Sequence, residues 1–352
     1  MHRTTRVVLI TLAAVATVAG IVISQRSAPT VAHASGLLHT THVNAAAEHI
    51  AAMAAAGDIH AGHALDEMRL AAAGVQSPAA PSNLKLPADN EGAPARLAAS
   101  PRKGEFVTID VSGTPMRTWV VQPQGQGKVP VVIVIQEVFG LTDWIRGVAD
   151  QVAAEGFIAV APDLLANRGA NGGDTRAFAS QQEAVQATLA TPPGEMMAKL
   201  KAARQWSLKL PRSNGKTASV GFCFGGSQSF ALAANEAALN AAVVYYGAAP
   251  NDAPPAAPGA PPPPFVPGTA LTNIKAPVLG LYGGLKEDAR IGNTIAATQA
   301  KMKELRKTFE PHVYEGAAHG FLRAQSGNNG ANMRASLEAW PLTVAWIKKY
   351  AS

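Results

Sequence analysis

This chain of 352 residues contains one cysteine, Cys223. A single thiol excludes an intramolecular disulfide framework and any cysteine-rich zinc module. Charge is also sparse. Only 15% of residues are Asp, Glu, Lys or Arg, and the formal net charge is +6. Arg3, Arg6 and Arg26 supply three of those charges within residues 1–34, which hold no acid, so only +3 remains for the rest. So weak and scattered an excess does not describe a nucleic-acid partner. Hydrophobic residues make up 47% of the chain, enough for a large core, and the length suits one sizeable α/β domain with additions.

The ends of the chain differ in character from its middle. Residues 1–34 read as an export signal: Arg3 and Arg6 form a basic start, Val7 to Ile23 an apolar stretch, and Ala32-His33-Ala34 a small-x-small cleavage site. The apolar stretch is short and Ala-rich for a membrane span. The expectation is therefore a cleaved leader, a periplasmic or secreted product, and no stable membrane insertion afterwards. Residues 35–102 form an Ala/His-rich extension and a Pro-rich linker. Val43 to Ala73 is weakly helical and carries His49, His60 and His63, with His39 and His42 just before it. His60 and His63 are spaced three apart, but no other ligand pattern accompanies them. A solvated helical extension is expected rather than a metal site. Ser77 to Pro101, rich in Pro, Ala, Ser and Asn, reads as flexible linker.

From residue 103 onward strands and helices alternate. Phe106 to Asp110 and Arg117 to Val121 suit a hairpin turned at Ser112-Gly113. Val131 to Ile135 and Phe157 to Ala161 are short apolar runs of the kind that strands buried on both faces show, and Lys216 to Val220, Ala241 to Tyr246 and Pro277 to Tyr282 are also read as strands. Helical stretches such as Trp144 to Glu155, Glu195 to Leu208, Ile291 to Arg306 and Ala331 to Lys349 separate them. Residues 248–270 form a Pro-rich insertion. The expected fold class is α/β, one doubly wound and mostly parallel sheet, with ligands at the carboxyl ends of its strands. Glu137, Cys223, Asp288 and His319 all fall just after predicted strands.

Cys223 sits in Gly221-Phe222-Cys223-Phe224-Gly225, between a predicted strand and an Ala-rich helix. This is the strand–turn–helix pattern of a nucleophile elbow, with sulfur in place of the commoner serine oxygen. The competing reading, a buried inert cysteine, does not explain the flanking glycines. Asp288 and His319 follow in the order nucleophile, acid, histidine. Asp288 also suits an ordinary helix N-cap, and its neighbour Glu287 is an alternative acid. Tyr245 and Tyr246 suit either a pocket wall or a packed strand end.

Residues 103–352 resemble the dienelactone hydrolase family, the carboxymethylenebutenolidases. The resemblance is carried by Gln136-Glu137-Val138-Phe139-Gly140, Ala161-Pro162-Asp163-Leu164, Gly221-Phe222-Cys223-Phe224-Gly225-Gly226, Asp288-Ala289-Arg290-Ile291 and His319-Gly320-Phe321. It implies an α/β-hydrolase fold and a Cys223–Asp288–His319 triad. It also implies Glu137 as acidic partner of the resting thiol, and an oxyanion hole from the Phe224 and Val138 amides. No metal and no cofactor are expected. The family's substrate is an anionic enol-lactone held by arginines. Arg323 resembles one of them, Tyr245 is taken with it as substrate-binding, and Arg168 or Arg176 lie in a plausible region for a second. The expected activity is hydrolysis of a small-molecule lactone or ester through a thiol acyl-enzyme. A general carboxylesterase on the same fold and a non-catalytic envelope binding protein are the alternatives.

Overall fold

The computed structural model describes residues 33–72, 85–254 and 261–352. Most of the predicted leader lies outside these residues, and so do 73–84 and 255–260. Residues 33–42 are helical, and residues from Val43 onward form one compact unit. Among the described residues no helix is long and apolar enough to cross a membrane.

Eight strands build one sheet. β1 (Glu105–Val111) and β2 (Thr114–Val121) form the expected hairpin. Its two-residue turn places Ser112 and Gly113 at φ 52° and 86°, the left-handed pair that matches strand twist. β3 (Val129–Ile135), β4 (Ile158–Pro162), β5 (Ser213–Phe222), β6 (Ala241–Tyr245), β7 (Val278–Gly283) and β8 (Phe309–Tyr314) follow. The spatial order is β1-β2-β4-β3-β5-β6-β7-β8. β2 pairs antiparallel with β1 and β4, and every pairing from β4 to β8 is parallel. The central strands β4, β6 and β7 are buried along their whole length, in keeping with sequences that carry no charged residue. The chain steps from β3 to β4 on one side, then returns to β5 on the other. The topological switch point therefore lies between the carboxyl ends of β3 and β5, where such sheets hold their ligands.

Among the described residues the nine longer helices are α1 (His33–Ala55), α2 (Ile59–Ala72), α3 (Ala93–Ala99), α4 (Asp143–Ala154), α5 (Gln181–Ala190), α6 (Pro193–Ser207), α7 (Phe224–Asn235), α8 (Ala289–Glu304) and α9 (Ala331–Ala351).

Two expectations about the N-terminal region are corrected. Residues 85–101 are not a flexible linker: they carry α3, bury Leu86 and Ala93, and are pinned by side chains of the sheet domain. Trp144 Nε1 donates to the Ala88 carbonyl at 3.1 Å, and Gln325 Nε2 donates to that of Pro87 at 2.9 Å. Nor is α2 a solvated extension. Ala61, Ala64 and His63 are buried in it, and its polar side chains reach the carboxyl edge of the sheet. The described part of the Pro-rich insertion mixes exposed residues with buried Ala248, Ala249 and Gly268, and its base is closed like a hairpin. Asp252 N–H donates to the Val266 carbonyl and Gly268 N–H to that of Pro250.

Candidate active site

β5 delivers Cys223 to the switch point. The cysteine sits between strand and α7 with φ 56° and ψ −118°, a strained conformation for a residue with a Cβ and the mark of a nucleophile elbow. The glycines around it have a steric reason. A Cβ on Gly225 would lie 2.3 Å from the carbonyl oxygens of both Ile135 and Gln136. Only a glycine allows the elbow to pack this closely against the end of β3, and that contact brings the Glu137-Val138 loop beside the sulfur. Cys223 N–H is held by the Tyr245 carbonyl at 3.1 Å, and the Phe224 N–H points at the sulfur from the first turn of α7.

The acid and the histidine come from two loops that lock together. After β7, Gly284 N–H donates to the Ala317 carbonyl at 2.8 Å. A Cβ on Gly283 would meet that same oxygen at 2.8 Å, so the two loops touch backbone to backbone. Ala318 N–H is fixed by the side chain of Asn332 on α9. His319 follows, and its Nδ1 lies 2.8 Å from Asp288 Oδ2. Asp288 is buried, whereas Glu287 is exposed on the same loop, so the carboxylate that meets the imidazole is Asp288. The outer nitrogen, Nε2, has no hydrogen-bond partner among the described residues, and the ligand atoms of Cys223 and His319 lie within 4.8 Å of each other. Sulfur, imidazole and carboxylate thus lie together at the carboxyl edge of the sheet.

Electrostatics favour the neutral thiol at rest. Burial pushes the Cys223 thiol well up, and the charges of Glu137, Asp288 and Asp58 add to the shift, against the Phe224 amide. Glu137 is itself raised to about 8 by burial. Arg323 Nε stands 3.2 Å from its carboxylate without aiming a hydrogen at it. For Asp288 burial works towards a higher value. The charge of His319 and hydrogen bonds from His319 and His63 outweigh it, holding the carboxyl well below its ordinary range.

α2 supplies residues that the sequence had placed in solvent. His63 stacks on His319 with ring centroids 3.4 Å apart and 25° between planes, and its Nε2 lies 3.1 Å from the second oxygen of Asp288. His60 meets the Phe224 ring edge-on at 5.4 Å. Burial lowers both imidazoles to about 4, so both are neutral at ordinary pH. Ligand atoms of His63, Cys223 and His319 all lie within 4.8 Å of one another, a group that can be weighed as a metal site. A metal ion sits near the plane of each imidazole that binds it, and near-parallel stacked rings offer no common position of that kind. As arranged, these side chains suit ring packing and proton transfer.

The remaining predicted residues divide. Arg323 reaches the site, but its guanidinium is paired with Glu67 of α2 and lies over the Phe139 ring at 5.0 Å. Arg168 pairs with Glu195, and Arg176 with Asp174 at 2.8 Å; neither guanidinium is directed at Cys223 by any contact seen here. Tyr245 is corrected. It is fully buried, and its hydroxyl is 2.7 Å from that of Thr343 on α9, so it packs the sheet instead of lining a pocket. Its neighbour Tyr246, at φ 39°, turns the other way and packs its ring 4.9 Å from His319 with the hydroxyl unpartnered. Val138 is buried beside the elbow, and its carbonyl accepts the Thr188 hydroxyl.

Comparison with known proteins agrees with this geometry. A profile of the Dienelactone hydrolase family matches residues 116–351. A protein of Escherichia coli named "Putative carboxymethylenebutenolidase" is 30% identical over 253 residues, covering 70% of this chain and 86% of the relative. A Synechocystis protein of the same name is also 30% identical, over 68% of this chain and 93% of its own. The crystal structure of a dienelactone hydrolase-type protein from Klebsiella pneumoniae superposes with a TM-score of 0.60 at 26% identity, covering 71% of this chain and 99% of that one. An acylaminoacyl peptidase from Pyrococcus horikoshii shares the fold alone, with a TM-score of 0.53 at 13% identity, over 74% of this chain and 43% of its own. With a profile match over most of its length and relatives covered almost end to end, the chain belongs to the dienelactone hydrolase family and is a hydrolase of the α/β-hydrolase fold.

Proposed function

We propose that the protein hydrolyses a lactone or small carboxylic ester through a thiol acyl-enzyme, with Cys223 as nucleophile, His319 as general base and acid, and Asp288 as the group that orients the imidazole. The observation that carries this reading is the chain of contacts from Asp288 Oδ2 through His319 to a sulfur within 4.8 Å, on a residue held at φ 56°. His319 Nε2 takes the thiol proton as Sγ attacks the carbonyl carbon. The oxyanion is received by the Phe224 amide at the start of α7 and by the Val138 amide. Collapse of the tetrahedral species breaks the C–O bond, and His319 returns the proton to the departing alkoxide. Water, deprotonated by the same ring, then releases the acid and restores the thiol.

Glu137 fits the role of a buried acidic neighbour that keeps the thiol protonated until substrate arrives. While Glu137 and the thiol both hold their protons, the pocket is spared two adjacent anions. Export by the N-terminal leader belongs to the same proposal and rests on the sequence of residues 1–34 alone.

The test is turnover of p-nitrophenyl esters and simple lactones. The reading predicts hydrolysis that falls at least about a thousandfold in Cys223→Ala and is abolished by iodoacetamide. Undiminished turnover after either treatment rejects it. A ligand that copurifies while no ester or lactone is turned over supports a binding protein instead.

A further inference from the structure

α2 does more than cover the nucleophile: its acids answer the cations of the site. Glu67 pairs with Arg323, whose side chain is only partly exposed. Asp66 pairs with Arg290 at 2.6 Å. The carboxylates whose charges act on the sulfur are Asp288 and Asp58; Glu137, raised to about 8 by burial, holds its proton at neutral pH. Asp58, at the start of α2, is held in place by accepting the Ala61 N–H at 2.8 Å. The two imidazoles that α2 brings, His60 and His63, are neutral and do not offset these acids. A substrate carboxylate entering this pocket meets a guanidinium that already has its counter-ion, with the carboxylates of Asp288 and Asp58 close by. An uncharged acyl group meets no such opposition, and finds the Phe139 ring beside Arg323 and the Tyr246 ring beside His319.

Resting on the hydrolase reading above, we propose that Glu67 is a specificity-determining residue: by neutralising Arg323 it makes the enzyme one for uncharged lactones and esters, and turns away carboxylate-bearing ones. Removing the Glu67 charge leaves Arg323 free to receive a carboxylate, the pairing to which a guanidinium is best suited.

The closing experiment compares p-nitrophenyl methyl adipate with p-nitrophenyl hydrogen adipate, which differ only in the distal ester and carboxylate. The wild-type protein should favour the methyl ester in kcat/KM by about tenfold or more, the size expected of one unanswered charge in a partly desolvated site. In Glu67→Gln the ratio should move towards the acid by at least about tenfold, and the double variant Glu67→Gln/Arg323→Met should cancel that movement. A wild-type preference for the acid overturns the inference. So does a Glu67→Gln variant that speeds or slows both esters equally, the behaviour of a simple lid. Should Glu67→Gln fail to fold, the wild-type ratio still decides. Absence of turnover with both esters refutes the hydrolase reading and this inference with it, an outcome distinct from turnover with the wrong preference.

Discussion

Replacing Glu137 with glutamine should change the shape of the stability curve against pH. The carboxyl is buried at the end of β3 and holds its proton up to about 8, whereas an unfolded chain loses it near the ordinary value of 4.5. Between those values the folded protein binds a proton that the unfolded chain does not. Stability from this group is therefore complete below pH 4.5 and is lost as pH rises towards 8. The full interval, at about 1.4 kcal/mol per pH unit, sets a ceiling of about 5 kcal/mol. Arg323 at 3.2 Å and local relaxation reduce it, and we expect about 2–4 kcal/mol. Glutamine has the shape of the protonated acid and cannot ionise. Urea denaturation followed by circular dichroism at pH 5, 6, 7 and 8.5 should show the wild-type losing that amount relative to Glu137→Gln. Every other carboxyl is common to both proteins and cancels in the difference. Parallel curves would refute the assignment of a proton to Glu137 at neutral pH.

Two further outcomes follow from the packing. Gly225→Ala puts a Cβ 2.3 Å from the carbonyl oxygens of Ile135 and Gln136 at the end of β3, so the elbow must move. We expect a loss of about 3 kcal/mol, read as a melting temperature lower by about 5 °C or more, with turnover falling further than stability; an unchanged melting temperature would contradict the close approach. His63 is neutral in the folded state with a value near 4, so its contribution is present above pH 6.5 and is lost as pH falls towards 4. His63→Phe keeps a stacked ring and removes the titration. Its urea midpoint should decline less than that of the wild-type between pH 6.5 and 4.5, and an equal decline would show that His63 is not buried against His319.

Much of the sheet was readable because buried parallel strands need unbroken apolar runs, and the chain has them at β3, β4, β6 and β7. The nucleophile loop was readable for a local reason: the glycines that permit the close approach lie within three residues of Cys223. Asp288 could not be separated from Glu287 on sequence, because the choice depends on which side chain turns inward, and only Asp288 does. The place of α2 was hidden because its partners, Asp288, His319 and Arg323, lie more than 200 residues away. A faint signal existed. His60, His63 and Glu67 share one helical face, while Ala61 and Ala64 are small enough to let the helix approach. α5 was missed although Ser180 and Glu183 form a capping box: the Ser180 hydroxyl accepts the Glu183 N–H, and the Glu183 carboxylate accepts the Ala179 N–H. Its Gln-rich sequence lacks the apolar stripe that marks a helix. Tyr245 ends β6 and faces the core, whereas Tyr246 follows it at φ 39°, and that turn out of the strand sends its ring to the site.

The most direct measurement is intact-protein mass spectrometry after rapid acid quench of the enzyme with a simple lactone, followed by peptide mapping. Attack by sulfur opens the ring without losing a fragment, so the account predicts a transient adduct equal to the whole lactone, carried on the peptide that contains Cys223. Steady turnover with that peptide never modified, or with the adduct on another side chain, would contradict it.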